Sequence, residues 1–215
     1  MYKAILFDLD GTLTDSGEGI TKSVQYALGK LGHPVEDRTQ LNCFVGPPLL
    51  QQFMDFAGLD EETARQAVAI FRERYIPIGL YENALYPGIK EVLESLKAQG
   101  YALAVASSKL EESVFKVLAY FEIAKVFDVV VGSAHGGKSA EKVFVVEEAL
   151  KRLGFSDRRD EAVLVGDTHY DVLGAHEAGL DCLAVTYGYG DPEKVAAAKP
   201  LAIVNTPQEI LDFFV

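Results

Sequence analysis

Short apolar runs bounded by turn residues recur at Ala4 to Leu9, Ala102 to Ala106, Val126 to Val131, Ala162 to Val165, Cys182 to Val185 and Ala202 to Val204. They lack in/out alternation, which is the pattern of strands buried on both faces of a parallel sheet. Between them lie stretches with helical spacing, such as Ile89, Val92, Leu93 and Leu96 before Gly100, or Val143, Val146, Ala149, Leu150 and Leu153 before Gly154. Each closes on a glycine suited to a left-handed helix cap. The last helix has a marked start, because Thr206-Pro207-Gln208-Glu209 offers an N-cap, a proline at the first helical position and a capping-box glutamate. Strand and helix alternate, so the pattern predicts an α/β fold: a doubly wound parallel, Rossmann-like sheet.

One segment breaks the rhythm. From about Asp15 to Asn83 the spacing is helical and no strand stands out, with helices expected from Gly17 to Leu31, from Pro48 to Ala57, and from an N-cap at Asp60 to about Ile76. A helical insertion directly after the first strand reads as a cap domain. The expected organisation is a catalytic core of residues 1–14 and 84–215 carrying an α-helical cap of residues 15–83.

Composition narrows the picture without redirecting it. The 215 residues are 49% hydrophobic and 24% charged, ordinary for a globular protein. The 32 acidic residues against 20 basic ones give a net charge of -12, and no basic patch is visible, so neither nucleic acid nor an anionic membrane is an expected partner. Cys43 and Cys182 lack any partner spacing, which supports neither a disulfide framework nor a cysteine zinc site and suits a reducing compartment. The N-terminal apolar run is too short for a signal-peptide core and no stretch approaches a membrane span, so a cytoplasmic location is expected, as a monomer or homodimer.

The candidate chemistry gathers at strand ends, where ligands bind in open α/β sheets. The first strand closes on Asp8-Leu9-Asp10-Gly11-Thr12, and two carboxylates that close are costly without a cation. An oxygen-only pair suits a hard ion such as Mg²⁺. After Ala106 come Ser107 and Ser108, whose hydroxyls and backbone N–H groups at an expected helix start would suit a phosphate. After Val131 comes a glycine-rich loop, Gly132 to Gly137, and then Lys138 and Lys142 near the next helix start, where positive charge is disfavoured unless something acidic holds it. After Val165 come Asp167 and Asp171, spaced to share one face of a helix start.

This ordered set resembles the haloacid dehalogenase-like hydrolase superfamily over essentially the whole chain, most closely its phosphoglycolate phosphatase-like branch. Asp8-x-Asp10-Gly11-Thr12 matches the nucleophile motif, Ser107 the second motif, Lys142, preferred over Lys138, the lysine motif, and Gly166-Asp167-x-x-x-Asp171 the acidic motif. The resemblance implies two-step phosphoryl transfer from a small phosphorylated metabolite, phosphoglycolate-like or a nucleoside monophosphate. In that scheme Asp8 is the nucleophile and Asp10 the general acid and base. Asp8, the Asp10 main-chain carbonyl and Asp167 would hold Mg²⁺, with Asp171 in support, while Ser107, Ser108 and Lys142 surround the phosphoryl oxygens. Asp10 argues against the dehalogenases, which lack a second aspartate there. A phosphohexose mutase, or a phosphate-binding regulatory protein on the same scaffold, is the alternative. Within the cap, Gly46 and Pro47 of the Phe44 to Leu49 turn are expected to face substrate, and Arg38, Arg72 and Arg74 could meet a second anionic group.

Overall fold

The apolar runs share burial on both faces, and six strands built on them form one parallel sheet in a computed structural model that describes residues 1–134 and 140–215. These strands are β1 (Ala4–Phe7), β4 (Ala102–Leu110), β5 (Val129–Ser133), β6 (Ala162–Gly166), β7 (Asp181–Val185) and β8 (Ala202–Val204), in the order β5-β4-β1-β6-β7-β8. A separate two-stranded ribbon pairs β2 (Thr14–Asp15) with β3 (Ala84–Leu85). The described helices are α1 (Gly17–Lys30), α2 (Leu49–Ala57), α3 (Glu61–Arg74), α4 (Ile89–Ala98), α5 (Glu111–Tyr120), α6 (Lys142–Leu153), α7 (His169–Glu177), α8 (Pro192–Ala197) and α9 (Pro207–Phe214).

β1 lies between β4 and β6, with Ala4 opposite both Ala102 and Ala162. Its side chains alternate between two cores: Ile5 and Phe7 enter the layer holding α1, α3 and α4, while Ala4 and Leu6 enter the layer holding α6 and α7. All four are fully buried. The chain runs outward to β4 and β5 on one side of β1 and then to β6, β7 and β8 on the other. The carboxyl end of β1 therefore sits at the reversal of strand order, where a crevice opens.

Three boundaries differ from the sequence pattern, each for a local reason. Val126 belongs to a 3₁₀ turn (Ala124–Val126), so β5 starts only at Val129. β4 continues to Leu110, which pairs again with Ser133 after a register shift, so Ser107 and Ser108 lie on extended backbone and α5 starts three residues later than the serines would cap it. α3 gives way at Tyr75 to a π-helical turn (Tyr75–Gly79), because Pro77 has no N–H to continue an α-helical ladder. The Asp60 N-cap is present, accepting from the Thr63 N–H at 2.7 Å.

The helical insertion of α1, α2 and α3 leaves and re-enters through the β2–β3 ribbon, whose two-residue strands are too short to show a sequence period. Glu82 secures the return. Its carboxylate accepts from Arg74 at 2.8 Å and from Lys22 at 3.0 Å, and its carbonyl accepts from the Gly19 N–H at 3.1 Å. Among the described residues no helix is long and apolar enough to cross a membrane.

Candidate active site

Strand geometry ends at Phe7. The Leu9 carbonyl then accepts from the N–H groups of Leu13 and Thr14 at 2.9 and 3.0 Å, curling the segment that carries Asp8 and Asp10 into a tight loop. Within that loop Asp8 and Asp10 take different partners. Asp8 Oδ1 lies 2.8 Å from the Lys142 ammonium, which lies 2.8 Å from Asp171 Oδ1 and donates to the Ala106 carbonyl at 3.0 Å. The two aspartate contacts are ion pairs, and the hydrogen bond that the ammonium donates goes to the Ala106 carbonyl. Lys142 is the first residue of α6, a place that disfavours a cation unless acids surround it. Lys138 and the Gly136-Gly137 part of its loop lie outside the described residues.

Asp167 stands at the end of β6 and not on α7, because Thr168 is the N-cap of that helix. The i and i+4 carboxylates thus do not share a helix face. Asp171 closes a capping box, its Oδ2 accepting from the Thr168 N–H at 2.9 Å and hydroxyl at 2.7 Å. Asp167 accepts from the Thr12 hydroxyl at 3.1 Å and from the Tyr189 N–H at 2.7 Å. Gly11 and Gly188 make that approach possible: a Cβ would stand 2.2 Å from Asp167 Oδ2 at Gly11 and 2.3 Å at Gly188.

Carboxylate oxygens of Asp8, Asp167 and Asp171, all buried, lie within 4.8 Å of one another. Three carboxylates against the single Lys142 leave two buried negative charges uncompensated. Burial pushes the Asp8 carboxyl up to about 6, Asp171 and Asp10 adding to the rise and Lys142 opposing it. Asp167 is held well above the usual carboxylate range by burial, then by Asp171 and Asp8. Lys142 is held above its ordinary value, since the two aspartates outweigh the opposing effect of burial. Oxygen donors with a surplus of two negative charges fit a hard divalent cation such as Mg²⁺.

The Asp10 carboxylate is not one of the three that meet in this cluster. Asp10 Oδ2 pairs instead with Lys109 at 2.5 Å, and both side chains are less than a tenth exposed. Lys109 also lies 5.1 Å from the centre of the Tyr75 ring. Sequence reasoning missed Lys109 as a site residue. The available signal was a cation two residues after Ser107 at the end of a buried strand.

Ser107 is buried at the end of β4, and its Oγ accepts from the Lys109 N–H at 3.4 Å. Ser108 lines two cavities, as do Gly46 and Pro47 opposite it. One, of about 240 Å³, lies between the insertion and the end of β4 and is walled by Phe44, Leu49, Val68, Phe71 and Tyr75, with Asp10 and Lys109 at its base. The other, of about 520 Å³, reaches Lys142 and Asp171. Of the three candidate arginines, Arg38 is exposed and Arg74 is bound to Glu82. Arg72 lines the smaller cavity, half-buried and without an ion-pair partner among the described residues.

The raised carboxylates set a pH dependence. The folded, ion-free protein binds protons at Asp8 and Asp167 more tightly than the unfolded chain does. The stability they contribute is full at acid pH and is lost as pH rises through about 6 for Asp8. A divalent cation takes over the protons' role, stabilising by about 2.7 kcal/mol at a concentration 100 times its Kd. Millimolar Mg²⁺ should raise the melting temperature clearly at pH 7.5 and much less at pH 5; equal shifts at both, followed by calorimetry, would contradict this assignment.

The profile described as "Haloacid dehalogenase-like hydrolase" matches residues 5–185 of the chain. A 5'-nucleotidase of Pseudomonas aeruginosa is 41% identical over 199 residues, covering 93% of this chain and 89% of that protein. A phosphoglycolate phosphatase of Aliivibrio fischeri is 30% identical, over 92% and 90% of the two chains. The crystal structure of a predicted phosphatase from Clostridium acetobutylicum superposes with a TM-score of 0.96 at 43% identity, covering 100% of this chain and 98% of that one.

Proposed function

The chain belongs to the haloacid dehalogenase-like hydrolases and is a phosphatase of that family, and we propose that it hydrolyses nucleoside monophosphates through an aspartyl-phosphate on Asp8. The observation that carries this reading is the buried grouping of Asp8, Asp167 and Asp171 around one lysine. Lys142 and Ser107 meet the phosphoryl oxygens, where charge builds up in transfer and fixed donors are most effective. Asp8 attacks phosphorus. Asp10 gives a proton to the departing oxygen of the ester, then takes one from the water that attacks the acyl phosphate, work that contributes about 10²–10⁴-fold. Asp8, the Asp10 carbonyl and Asp167 would hold Mg²⁺, with Asp171 in support. When bound, the ion supplies positive charge that offsets repulsion between Asp8 and a phosphate dianion.

Two features favour a nucleoside over a small acid as the departing alcohol. The cavity above Asp10 is walled mainly by aromatic and aliphatic side chains, a poor match for a glycolate-sized group and a good one for a flat base. The 41% identical relative is a 5'-nucleotidase. Residues 15–83 act as a cap that closes over this cavity, with Gly46 and Pro47 facing the substrate. Two free cysteines, one exposed, agree with action in a reducing cytoplasm.

Phosphate release from nucleoside 5'-monophosphates, 2-phosphoglycolate and hexose phosphates, each with Mg²⁺ and with chelator, tests the reading. The highest kcat/KM is expected for a nucleoside monophosphate, with turnover lost on chelation. Absence of phosphate release, or release undiminished by chelator, would overturn the phosphatase mechanism; preference for 2-phosphoglycolate would overturn the substrate class alone.

A further inference from the structure

A buried lysine that the mechanism above leaves without a task touches the residue on which both proton transfers depend. Lys109 Nζ lies 2.5 Å from Asp10 Oδ2, with side-chain exposures of 8% and 7%. Asp10 Oδ1 is also buried and has no hydrogen-bond partner. The two oxygens of one carboxylate are therefore unequal: one is tethered and the other is free. Above the ammonium sits the ring of Tyr75, first residue of the π-helical turn that ends the helical insertion, stacked on Phe71 with centroids 4.9 Å apart. π-Helical turns cluster at functional positions.

We propose that Lys109 is the positioning residue for Asp10: by holding Oδ2 it turns Oδ1 toward the ester oxygen, and Tyr75 covers the tether from the insertion side. The inference rests on the phosphatase reading, in which Asp10 moves protons. An untethered carboxylate on the Leu9 to Thr14 loop can rotate about its side-chain bonds, and the ion pair removes that freedom before substrate arrives. The tether has one anchor in the sheet, at the end of β4, and a lid from the insertion. The phosphoryl group itself is met by Lys142, which pairs with Asp8 at 2.8 Å, so Lys109 is left to Asp10.

The test separates a role through Asp10 from a merely structural ion pair by changing the leaving group. A nucleoside monophosphate departs as an alkoxide that needs a proton, whereas p-nitrophenyl phosphate departs as a stable phenolate that does not. In the full chain with Mg²⁺, Lys109→Met should slow single-turnover cleavage of the nucleoside monophosphate by about 100-fold. With p-nitrophenyl phosphate it should keep a rapid burst of nitrophenolate stoichiometric with enzyme, followed by slow turnover, because water activation also needs Asp10. Asp10→Asn should give the same pattern, Asp10→Asn with Lys109→Met should be no slower than Asp10→Asn alone, and Lys109→Arg should recover most of the loss. Equal losses with both substrates, a vanished burst, or nucleoside monophosphate cleavage within about three-fold of native would overturn the proposal. If Lys109→Met melts below the assay temperature, Lys109→Gln, which keeps length and one donor, carries the same comparison. Failure of the native protein to release phosphate would sink the phosphatase reading instead, so the two failures are distinguishable.

Discussion

Asp8→Asn should fold, bind Mg²⁺ more weakly and hydrolyse phosphate esters at least about 10⁴-fold more slowly than the native protein. An amide nitrogen or oxygen is too weak a nucleophile to displace the ester, and no other carboxylate at the site is free to replace it. Asp171 is committed to Lys142 and to the Thr168 cap, Asp167 to Thr12 and Tyr189, and Asp10 to Lys109. Loss of activity should not come from loss of structure. Removing one of three crowded buried carboxylates relieves repulsion, so the ion-free variant should melt at or above the native temperature at pH 7.5. Steady-state phosphate release together with a melting curve decides the matter. Residual turnover within ten-fold of native, about 1.4 kcal/mol of barrier, would remove Asp8 from the role of nucleophile.

Lys142→Met should have the opposite structural signature and a comparably large functional one. It removes the counter-charge from Asp8 and Asp171 together and leaves their oxygens buried, a class of change that costs about 3–5 kcal/mol. The Ala106 carbonyl loses its donor as well. Mg²⁺ should recover part of the stability, since the surplus negative charge is then larger. Activity should stay low even at saturating Mg²⁺, by about 10²–10³-fold, because a fixed donor to the phosphoryl oxygens is gone. Chemical denaturation with and without Mg²⁺, paired with kcat, reads both effects. A variant as stable as native without the ion would show that Lys142 does not compensate the cluster.

Much of this arrangement is legible in the sequence. Buried parallel strands carry continuous apolar runs, so β1, β6, β7 and β8 appear in the sequence almost at their true boundaries, and the residues after β1 and β6 are the acids of the site. What was not legible depends on distant partners. Lys109 and Asp10 are 99 positions apart, and nothing in Ser107-Ser108-Lys109 shows that β4 continues past the serines until its pairing with Ser133 is known. The Asp167 to Asp171 spacing resembles one helix face, yet Thr168 competes for the N-cap and sends the two carboxylates to different tasks. Arg74 is an ordinary cap arginine by sequence, and only the return of the chain at Glu82 shows where its charge is spent.

The two-residue ribbon of β2 and β3 has a thermodynamic meaning beyond its size. Thr14 faces Leu85 and Asp15 faces Ala84, so the chain departs from the sheet and comes back about 5 Å from where it left. To the sheet, everything between those points is a closed loop. Closing such a loop grows only logarithmically with length, by about 0.6 kcal/mol for each doubling. The sheet therefore places almost no limit on how long the excursion is or what shape it takes. The length and shape of the excursion can therefore change while the sheet, and the acids at the ends of β1 and β6, stay where they are.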